Sequence, residues 1–204
     1  MTLVTYALTT RQKVKDYLGI TDTSKDTLID QLINAATVAI ESYCGGRRFL
    51  SASYSEVRDG GKETYILNQY PATAISSVKY NTGTPSTPVW STYNADDYYK
   101  YLPEAKVKFP GKTACIPQYL QFNYTAGYLI DFANETTTSH TLPLDLTQVC
   151  TELAAKGANT STSEGISSQT TEGQTVQFDI GKSNKWSDAQ KNILNKYKAY
   201  RYGV

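Results

Sequence analysis

Histidine is almost absent from this sequence, and its single copy, His140, lies in a Ser- and Thr-rich stretch before Pro143. Cysteine is scarce too, and Cys44, Cys115 and Cys150 stand far apart, with no close pair. Catalytic zinc sites draw on clusters of such side chains. We therefore predict no metal and no cofactor, a solvated His140, and free thiols in a reducing cytosol.

Catalytic motifs are also missing. The sequence contains no nucleophile elbow and no phosphate-binding Gly-Lys-Ser/Thr loop. Asp96 and Asp97 offer oxygen ligands to a cation, but two acids followed by three tyrosines are better explained as a turn. Arg47 and Arg48 are able to touch phosphate, but two solvated arginines after a glycine helix end are the simpler interpretation. We predict that the chain is not an enzyme.

A strong net charge and long apolar runs are absent as well. The formal net charge is +1, so no overall field points to nucleic acid or to a membrane surface. No apolar run approaches the roughly 20 residues that a membrane helix needs. The N-terminus lacks the basic-then-apolar pattern of a signal peptide. We expect no membrane association.

Tyrosine is what the chain has in excess, with 17 copies against five phenylalanines. A tyrosine ring is apolar and its hydroxyl is polar, so the residue suits surfaces that are half wet and half dry. Exposed β-sheets and protein interfaces are both surfaces of this kind.

The first fifty residues predict two helices joined by a sharp corner. Thr9 or Thr10 is placed to cap a short helix that Gly19 ends. Thr21 to Ser24 then offer capping oxygens to a long helix that ends at Gly45 and Gly46. Its apolar stripe packs a core or, in part, a neighbouring subunit, and comprises Leu28, Ile29, Leu32, Ile33, Ala36, Ile40 and Tyr43. The opposite, polar face carries Asp30, Asn34, Thr37 and Glu41.

The middle of the chain has the period of two that is typical of strands. Tyr54 to Val57, a turn at Asp59 to Gly61 and a return through Thr64 to Leu67 predict a hairpin. Further predicted strands are Ala74–Tyr80, Tyr98–Tyr101, Lys106–Phe109 and Tyr119–Tyr124. Together they predict a small antiparallel sheet or barrel.

The last third returns to helical patterns. Pro143 is suited to open a helix that Gly157 would end. Residues 158–175 are mostly small and polar and predict an arm, with a loose hairpin turning at Glu172–Gly173. Ser187 then caps a final helix, whose shared side carries Trp186, Ala189, Ile193, Tyr197 and Tyr200.

These patterns predict an α+β fold, a helical bundle with an inserted antiparallel β-sheet or small barrel. The N-terminal two-helix module spans residues 1–50 and the β insertion spans 51–141. Residues 142–204, with a helix, the Ser/Thr-rich arm and the C-terminal helix, complete the helical domain.

Charge is unevenly distributed along the chain. Residues 182–204 hold one acid, Asp188, and six bases: Lys182, Lys185, Lys191, Lys196, Lys198 and Arg201. Solvated lysines on an exposed helix explain this, and so does a basic, tyrosine-rich C-terminus that docks on an acidic patch of a partner. The footprint is weak for a DNA-binding helix.

Three stretches resemble the head–tail connector (adaptor) proteins of tailed bacteriophages. The first runs from L-T-T-R-Q-K-V-K-D-Y-L-G to Y-C-G-G-R-R-F, residues 8–49. The second is L-P-L-D-L-T-Q-V-C-T-E-L-A-A, residues 142–155, and the third is E-G-I-S-S-Q-T-T-E-G-Q-T-V-Q-F with the closing helix that ends K-Y-K-A-Y-R. They keep the family's order, whereas residues 50–141 match more loosely.

The resemblance implies a structural virion protein of the phage neck, assembled in the host bacterial cytoplasm. Copies would form a homo-oligomeric ring, dodecameric to match the portal protein, on which a stopper or tail-completion protein then docks. Double-stranded DNA would pass through the bore without specific binding.

The resemblance also implies which residues carry the contacts. We expect portal contacts from Trp186, Tyr197, Tyr200, Arg201 and Tyr202. We expect contacts between subunits from Ile166, Val176 and Phe178.

Two alternatives remain open at this stage. A tail-completion or tail-terminator-like virion protein shares the assembly logic, although the helical N-terminus argues against it. A carbohydrate-binding module would use the tyrosines of the β insertion and Trp90 as stacking platforms.

Overall fold

The computed structural model divides the chain into two compact units. The helical unit comprises Met1–Gly46 and Ile130–Lys198, and the β unit comprises Arg47–Leu129. Within residues 160–162, 168–171 and 174–177 the backbone alone is described. The described residues are 2–84, 86–136, 138–162, 168–171, 174–177 and 186–198.

The helices of the helical unit occur where the sequence predicts them, except at the start of α2 and at the end of α3. They are α1 (Arg11–Leu18), α2 (Asp26–Tyr43), α3 (Leu144–Thr162) and α4 (Asp188–Asn195). Thr10 caps α1 by accepting from the Lys13 N–H at 3.3 Å, and Gly19 ends it in the left-handed conformation. The predicted side-chain cap on α2 is wrong, because its first turn follows Lys25 without one.

The polar side of α2 is buried, contrary to the amphipathic pattern. Asp30, Thr37 and Glu41 are 2%, 0% and 5% exposed. The segment before α1 covers this side, since the Leu8 N–H donates to Thr37 Oγ1 at 3.3 Å. The apolar stripe on the other side is buried as predicted, with Ile29, Ile33 and Ile40 fully covered. The helix is therefore enclosed on both sides.

A charged network replaces water around the first turns of α2. Arg11 donates to the two carboxylate oxygens of Asp30 at 2.8 and 2.5 Å, and to Asp26 at 3.0 Å. Lys15, which is largely buried, donates to the other Asp26 oxygen at 2.9 Å. The Lys15 hydrogen bond, followed by the nearby positive charges, holds the pKa of Asp26 below its ordinary value. A buried carboxylate needs such partners, and α1 supplies them.

Gly157 lies inside α3 and does not end it, which corrects the prediction. A Cβ at this position would lie 2.7 Å from Leu32 Cδ2 on α2. Glycine lets the two helices pack closely here, and α3 continues to Thr162. Among the described residues, no helix has both the length and the apolar character needed to cross a membrane.

The β unit holds two antiparallel sheets. One has the strand order β1–β7–β3–β4 and the other β2–β6–β5. The strands are β1 (Ala52–Arg58), β2 (Thr64–Ile66), β3 (Ala72–Asn81), β4 (Trp90–Thr92), β5 (Tyr99–Tyr101), β6 (Lys106–Lys108) and β7 (Leu120–Ala126). A separate two-stranded sheet in the helical unit pairs β8 (Ser168–Thr171) with β9 (Gln174–Gln177).

The expected hairpin between the first two strands does not form. β1 pairs with β7 along its whole length, from Ala52 opposite Ala126 to Arg58 opposite Leu120, while β2 pairs with β6. Strand β4 was not predicted at all. The sheets do not close into a barrel, so the α+β expectation is confirmed in its open-sheet form.

Aromatic side chains fill the core of the β unit. Tyr65 contacts Phe109 edge-on at 5.9 Å and Phe122 at 5.4 Å between ring centroids. The buried set is Tyr65, Leu67, Ala72, Ile75, Val78, Tyr98, Ala105, Val107, Phe109, Leu120, Phe122, Tyr124 and Ala126. Burial and a hydrogen bond to Glu56 raise the pKa of Tyr124 well above its ordinary value. Much of the tyrosine excess therefore serves packing.

Arg47 is part of this interior, so its predicted solvation is wrong. The side chain is 1% exposed, and its guanidinium carbon lies 3.5 Å from the centroid of the Tyr70 ring. Phe49 and Tyr128 flank it at 4.9 and 5.6 Å, and it donates to the Tyr70 carbonyl. Stacking of this kind suits the planar, weakly hydrated guanidinium. Only Arg48 of the pair is exposed, so Arg47 is not available to a phosphate.

The depressed pKa of Asp26 predicts how stability depends on pH. The carboxylate contributes stability above the pKa of the unfolded chain, about 3.9, and loses it as the pH falls through the lower folded-state pKa. Asp26→Asn should therefore lower the thermal midpoint at pH 7, with a smaller difference from the wild type at pH 2–3. Circular dichroism melts across this range measure it.

Asp16→Asn is the matched control, because the Asp16 carboxylate accepts from the neutral Gln12 side chain. Its effect should be small at every pH. An Asp26→Asn deficit that stays constant from pH 7 to pH 2 would contradict the proposed ion-pair contribution.

Candidate assembly surface

The C-terminal helix α4 is built to dock on the rest of the helical unit. Ser187 Oγ accepts from the Gln190 N–H at 3.1 Å and the Gln190 side chain accepts from the Ser187 N–H at 3.1 Å, a capping box that fixes where the helix begins. One turn later Leu194 is completely buried. The predicted start of this helix is confirmed.

Tyr43, at the end of α2, receives the first part of this helix. The Trp186 ring packs on the Tyr43 ring at 5.4 Å between centroids, tilted by 49°. The Tyr43 hydroxyl donates to Asn195 Oδ1 at 3.1 Å, and Lys198 Nζ lies 4.4 Å from the ring centroid. One tyrosine thus contacts residues before, within and after α4.

The second anchor of α4 is on α3. The Tyr197 hydroxyl donates to Asp145 Oδ1 at 2.7 Å. Gln190 Nε2 donates to Glu152 Oε2 at 3.1 Å, about two turns further along α3. With contacts on α2 and α3, α4 fixes the point from which the basic C-terminal segment continues.

The geometry offers little for chemistry. Burial raises the pKa of the Cys150 thiol to about 12, which keeps it protonated and unreactive at neutral pH. Within the described part of the chain no group of His, Cys, Asp or Glu side chains is suited to hold a metal ion. Cys44 and Cys150 are buried and Cys115 is exposed, all as free thiols.

His140 is not fully solvated, which corrects the prediction. Its Nδ1 accepts from the Asp131 N–H at 3.0 Å, and its ring packs on Phe132 at 5.1 Å between centroids. These contacts order the loop before α3. They give the histidine a structural role and bring no nucleophile to it.

The predicted portal residues fall into two groups. Trp186 and Tyr197 are half-buried and contact their own helical unit. Tyr200, Arg201 and Tyr202 lie outside the described residues, as do Ile166 and Phe178 of the predicted subunit contact. Val176 pairs with Gln169 in the β8–β9 hairpin, through its backbone.

Sequence reasoning missed the partners Tyr43, Asp145 and Asn195. In the sequence each looks like an ordinary helix residue. Tyr43 and Asn195 are 152 residues apart and Asp145 and Tyr197 are 52 apart, and a local sequence pattern does not indicate contacts over such separations. The available signal was that Tyr43 and Tyr197 lie on apolar stripes, where a polar hydroxyl needs a partner.

Comparison with known families shows to which family the chain belongs. The family model for the head completion protein matches residues 7–200. This chain belongs to the head completion protein family. The match spans both ends of the helical unit and the β unit between them, so it covers far more than the three stretches noted in the sequence. The resemblance to phage head–tail connectors is therefore confirmed.

Solved structures share the fold of this chain. A chain from the neck of an empty gene transfer agent particle, computed with C6 symmetry, superposes with a TM-score of 0.55 at 16% identity. A chain from the virion of a native gene transfer agent particle gives 0.58 at 16% identity. Each match covers 100% of this chain and 95% of the other. No curated protein sequence matches the chain.

The anchor on α3 predicts a measurable effect of Tyr197→Phe. Losing the hydrogen bond to Asp145 should weaken the docking of α4 by about 1 kcal/mol, or about fivefold in the population of the undocked state. Hydrogen–deuterium exchange of the α4 amides should accelerate by that factor.

Tyr17→Phe is the control, since the Tyr17 ring is 56% exposed. It should leave α4 exchange unchanged. Equal exchange in the two variants would show that the Asp145 contact does not hold the helix.

Proposed function

We propose that this protein is the adaptor of a phage-like particle neck, a ring of identical chains beneath the portal that continues the DNA channel and receives a stopper or tail protein. The observation that carries this is the family match over residues 7–200. Support comes from the fold, which is shared with a chain in the neck of a gene transfer agent particle. Heterologous contacts between neighbours close such rings.

The docked helix α4 suggests how the portal is reached. Anchored by Tyr43 and Asp145, it brings the chain to a fixed exit at Lys198. Tyr200, Arg201 and Tyr202 follow at once, and we assign the portal contact to these three. In this proposal Trp186 and Tyr197 position the segment and do not themselves bind the portal.

The β unit is proposed to meet the stopper or tail protein. Tyr99 and Tyr101 on β5 are 61% and 40% exposed, and Lys106 Nζ lies 4.3 Å from the centroid of the Tyr101 ring. Lys106 also pairs with Glu104. Exposed tyrosines rimmed by paired charges are typical of protein interfaces.

The same pairing argues against the alternative of a carbohydrate module. Lys106 covers one face of Tyr101, which a stacked sugar would need. Tyr65, Tyr98 and Tyr124 are buried in the core. On β5 the exposed platform that a glycan would require is thus reduced to Tyr99, and Trp90 on β4 is half-buried.

DNA is proposed to be cargo that the ring does not grip. A bore lined with phosphate-binding cations would hold the genome through salt-dependent contacts and slow its exit. The net charge of +1 on the whole chain agrees with a channel that lets DNA slide.

Ring formation is the first consequence to measure. Light scattering over a wide concentration range, with negative-stain images of the same samples, should show closed rings with a central hole and a mass that is a fixed multiple of 22.6 kDa. A chain that stays monomeric at every concentration would contradict a ring that assembles by itself.

The proposed portal contact predicts the effect of a truncation after Lys198. The chain should keep its fold, because every described anchor of α4 remains, but lose binding to the cognate portal in a pull-down. Lys191→Gln is the control, since it removes a positive charge that already pairs with Asp188 at 3.1 Å. Portal binding by the truncated chain at wild-type strength would contradict the assignment.

A further inference from the structure

Strand β1 forms one edge of the four-stranded sheet and is seven residues long. It contains no proline, and its register with β7 runs without a bulge. Proteins usually protect such edges with short strands, bulges, prolines or charges that point along the edge, because an open edge pairs with other chains. The two charges of β1, Glu56 and Arg58, pair with each other on the sheet face opposite to Ser53, Ser55 and Val57, so the open backbone edge still needs an explanation.

The hydrogen-bond pattern shows which β1 groups are left open. The Asn81 N–H donates to the Tyr119 carbonyl at 2.8 Å, next to the pair Tyr80 and Leu120 in the β3–β7 register. Bonded pairs recur at every second residue of an antiparallel ladder. The odd-numbered residues of β7, such as Gln121, thus bond to β3, and the even-numbered ones bond to β1.

The even-numbered residues of β1 lie opposite the even-numbered residues of β7, so their backbone N–H and C=O groups point toward β7. Ser53, Ser55 and Val57 therefore direct their N–H and C=O groups to the open side. No described group accepts from or donates to these six backbone atoms. The result is a row of three donors and three acceptors.

The side chains beside this row favour an uncharged partner. Ser53, Ser55 and Val57 are all exposed and share one sheet face, with Val57 at 46%. Across β7 the same face continues with Gln121 and Asn123, which bond to Ser55 and to a β3 serine. A strand rich in Ser, Thr, Gln or Val would fit without burying a charge.

The chain itself supplies such a strand. The β8–β9 hairpin is a sheet of two strands only, as far as the described residues extend, and two strands are marginal by themselves in water. Its strands read S-Q-T-T and Q-T-V-Q, with no charge in either. If Thr171 and Gln174, the pair next to the turn, exchange backbone hydrogen bonds, the backbone N–H and C=O groups of Thr170 and Thr175 point away from the hairpin. Outward groups then recur with the two-residue spacing of β1.

We propose that the outer strand of the β8–β9 hairpin of one copy adds to the free edge of β1 of the next copy. This deepens the proposed function and rests on it: a donor hairpin and a different acceptor edge on each chain make a heterologous contact, which is the kind that closes a ring. Backbone hydrogen bonds supply the affinity, as in other cases of strand addition. The contact is made by backbone N–H and C=O groups, which are present along the whole strand. The pairing strands therefore need no particular side chains and can be uncharged and low in complexity.

Ser55→Pro tests the acceptor edge. It removes the outward N–H of Ser55 and leaves the β1–β7 ladder intact, since proline is accepted on edge strands where the N–H faces solvent. Ser55→Ala is the matched control, because it loses the same hydroxyl contact to Gln121 but keeps the N–H. Ser55→Pro should need at least about tenfold more protein to form rings, and Ser55→Ala should behave as the wild type.

Cysteine cross-linking tests the donor. In a Cys115→Ala background, Ser55→Cys is combined with Thr175→Cys for β9 or with Thr170→Cys for β8. Bonded pairs in a sheet place their Cα atoms about 5.5 Å apart, within disulfide range. One of the two pairs should give a ladder of covalent dimers, trimers and larger species on a non-reducing gel after mild oxidation.

Each other outcome has a defined meaning. A covalent dimer from Ser55→Cys alone would show a two-fold β1–β1 contact and overturn the assigned donor. Wild-type rings that Ser55→Pro leaves unchanged, with no cross-link from either pair, would overturn the inference and leave the proposed ring intact. A wild-type chain that never forms rings, with no cross-link from either pair, would overturn the inference together with the ring that assembles by itself.

Discussion

The ion pair between the buried Asp30 and the partly exposed Arg11 is the contact on which the helical unit depends. Asp30 is 2% exposed and Arg11 of α1 donates to both of its carboxylate oxygens, so α1 must stay on α2 to keep this buried charge paired. The same α2 accepts α3 at the close approach of Gly157 and α4 at Tyr43. α2, which contacts α1, α3 and α4, organises the unit, and the docking of α4 follows from it.

Local chemistry explains what the sequence predicts correctly. Thr10, Gly19 and Ser187 make their capping hydrogen bonds with backbone groups about one helical turn away. The two ends of α1 and the start of α4 can therefore be predicted from the local sequence. The mistakes concern distant contacts. Asp30 has the appearance of a surface residue until α1 covers it, and Gly157 that of a helix end until Leu32 approaches.

Pairing partners and assembly contacts lie further beyond local patterns. β1 alternates as a hairpin strand would, but its partner β7 is more than sixty residues away, and only the fold reveals that Ser53, Ser55 and Val57 face an open edge. Arg47 has the sequence context of a solvated cation, and its aromatic surroundings come from Phe49, Tyr70 and Tyr128. The identity of the fold was readable because three separated stretches keep a family's order.

The central claim is that this protein completes a head so that a tail is able to attach. The most direct measurement is electron microscopy of particles made by the encoding genome after its gene is disrupted. The account predicts DNA-filled heads and free tails that do not join, with tailed particles restored when the purified protein is added to the lysate. Normal numbers of tailed, infectious particles from the disrupted genome would contradict it.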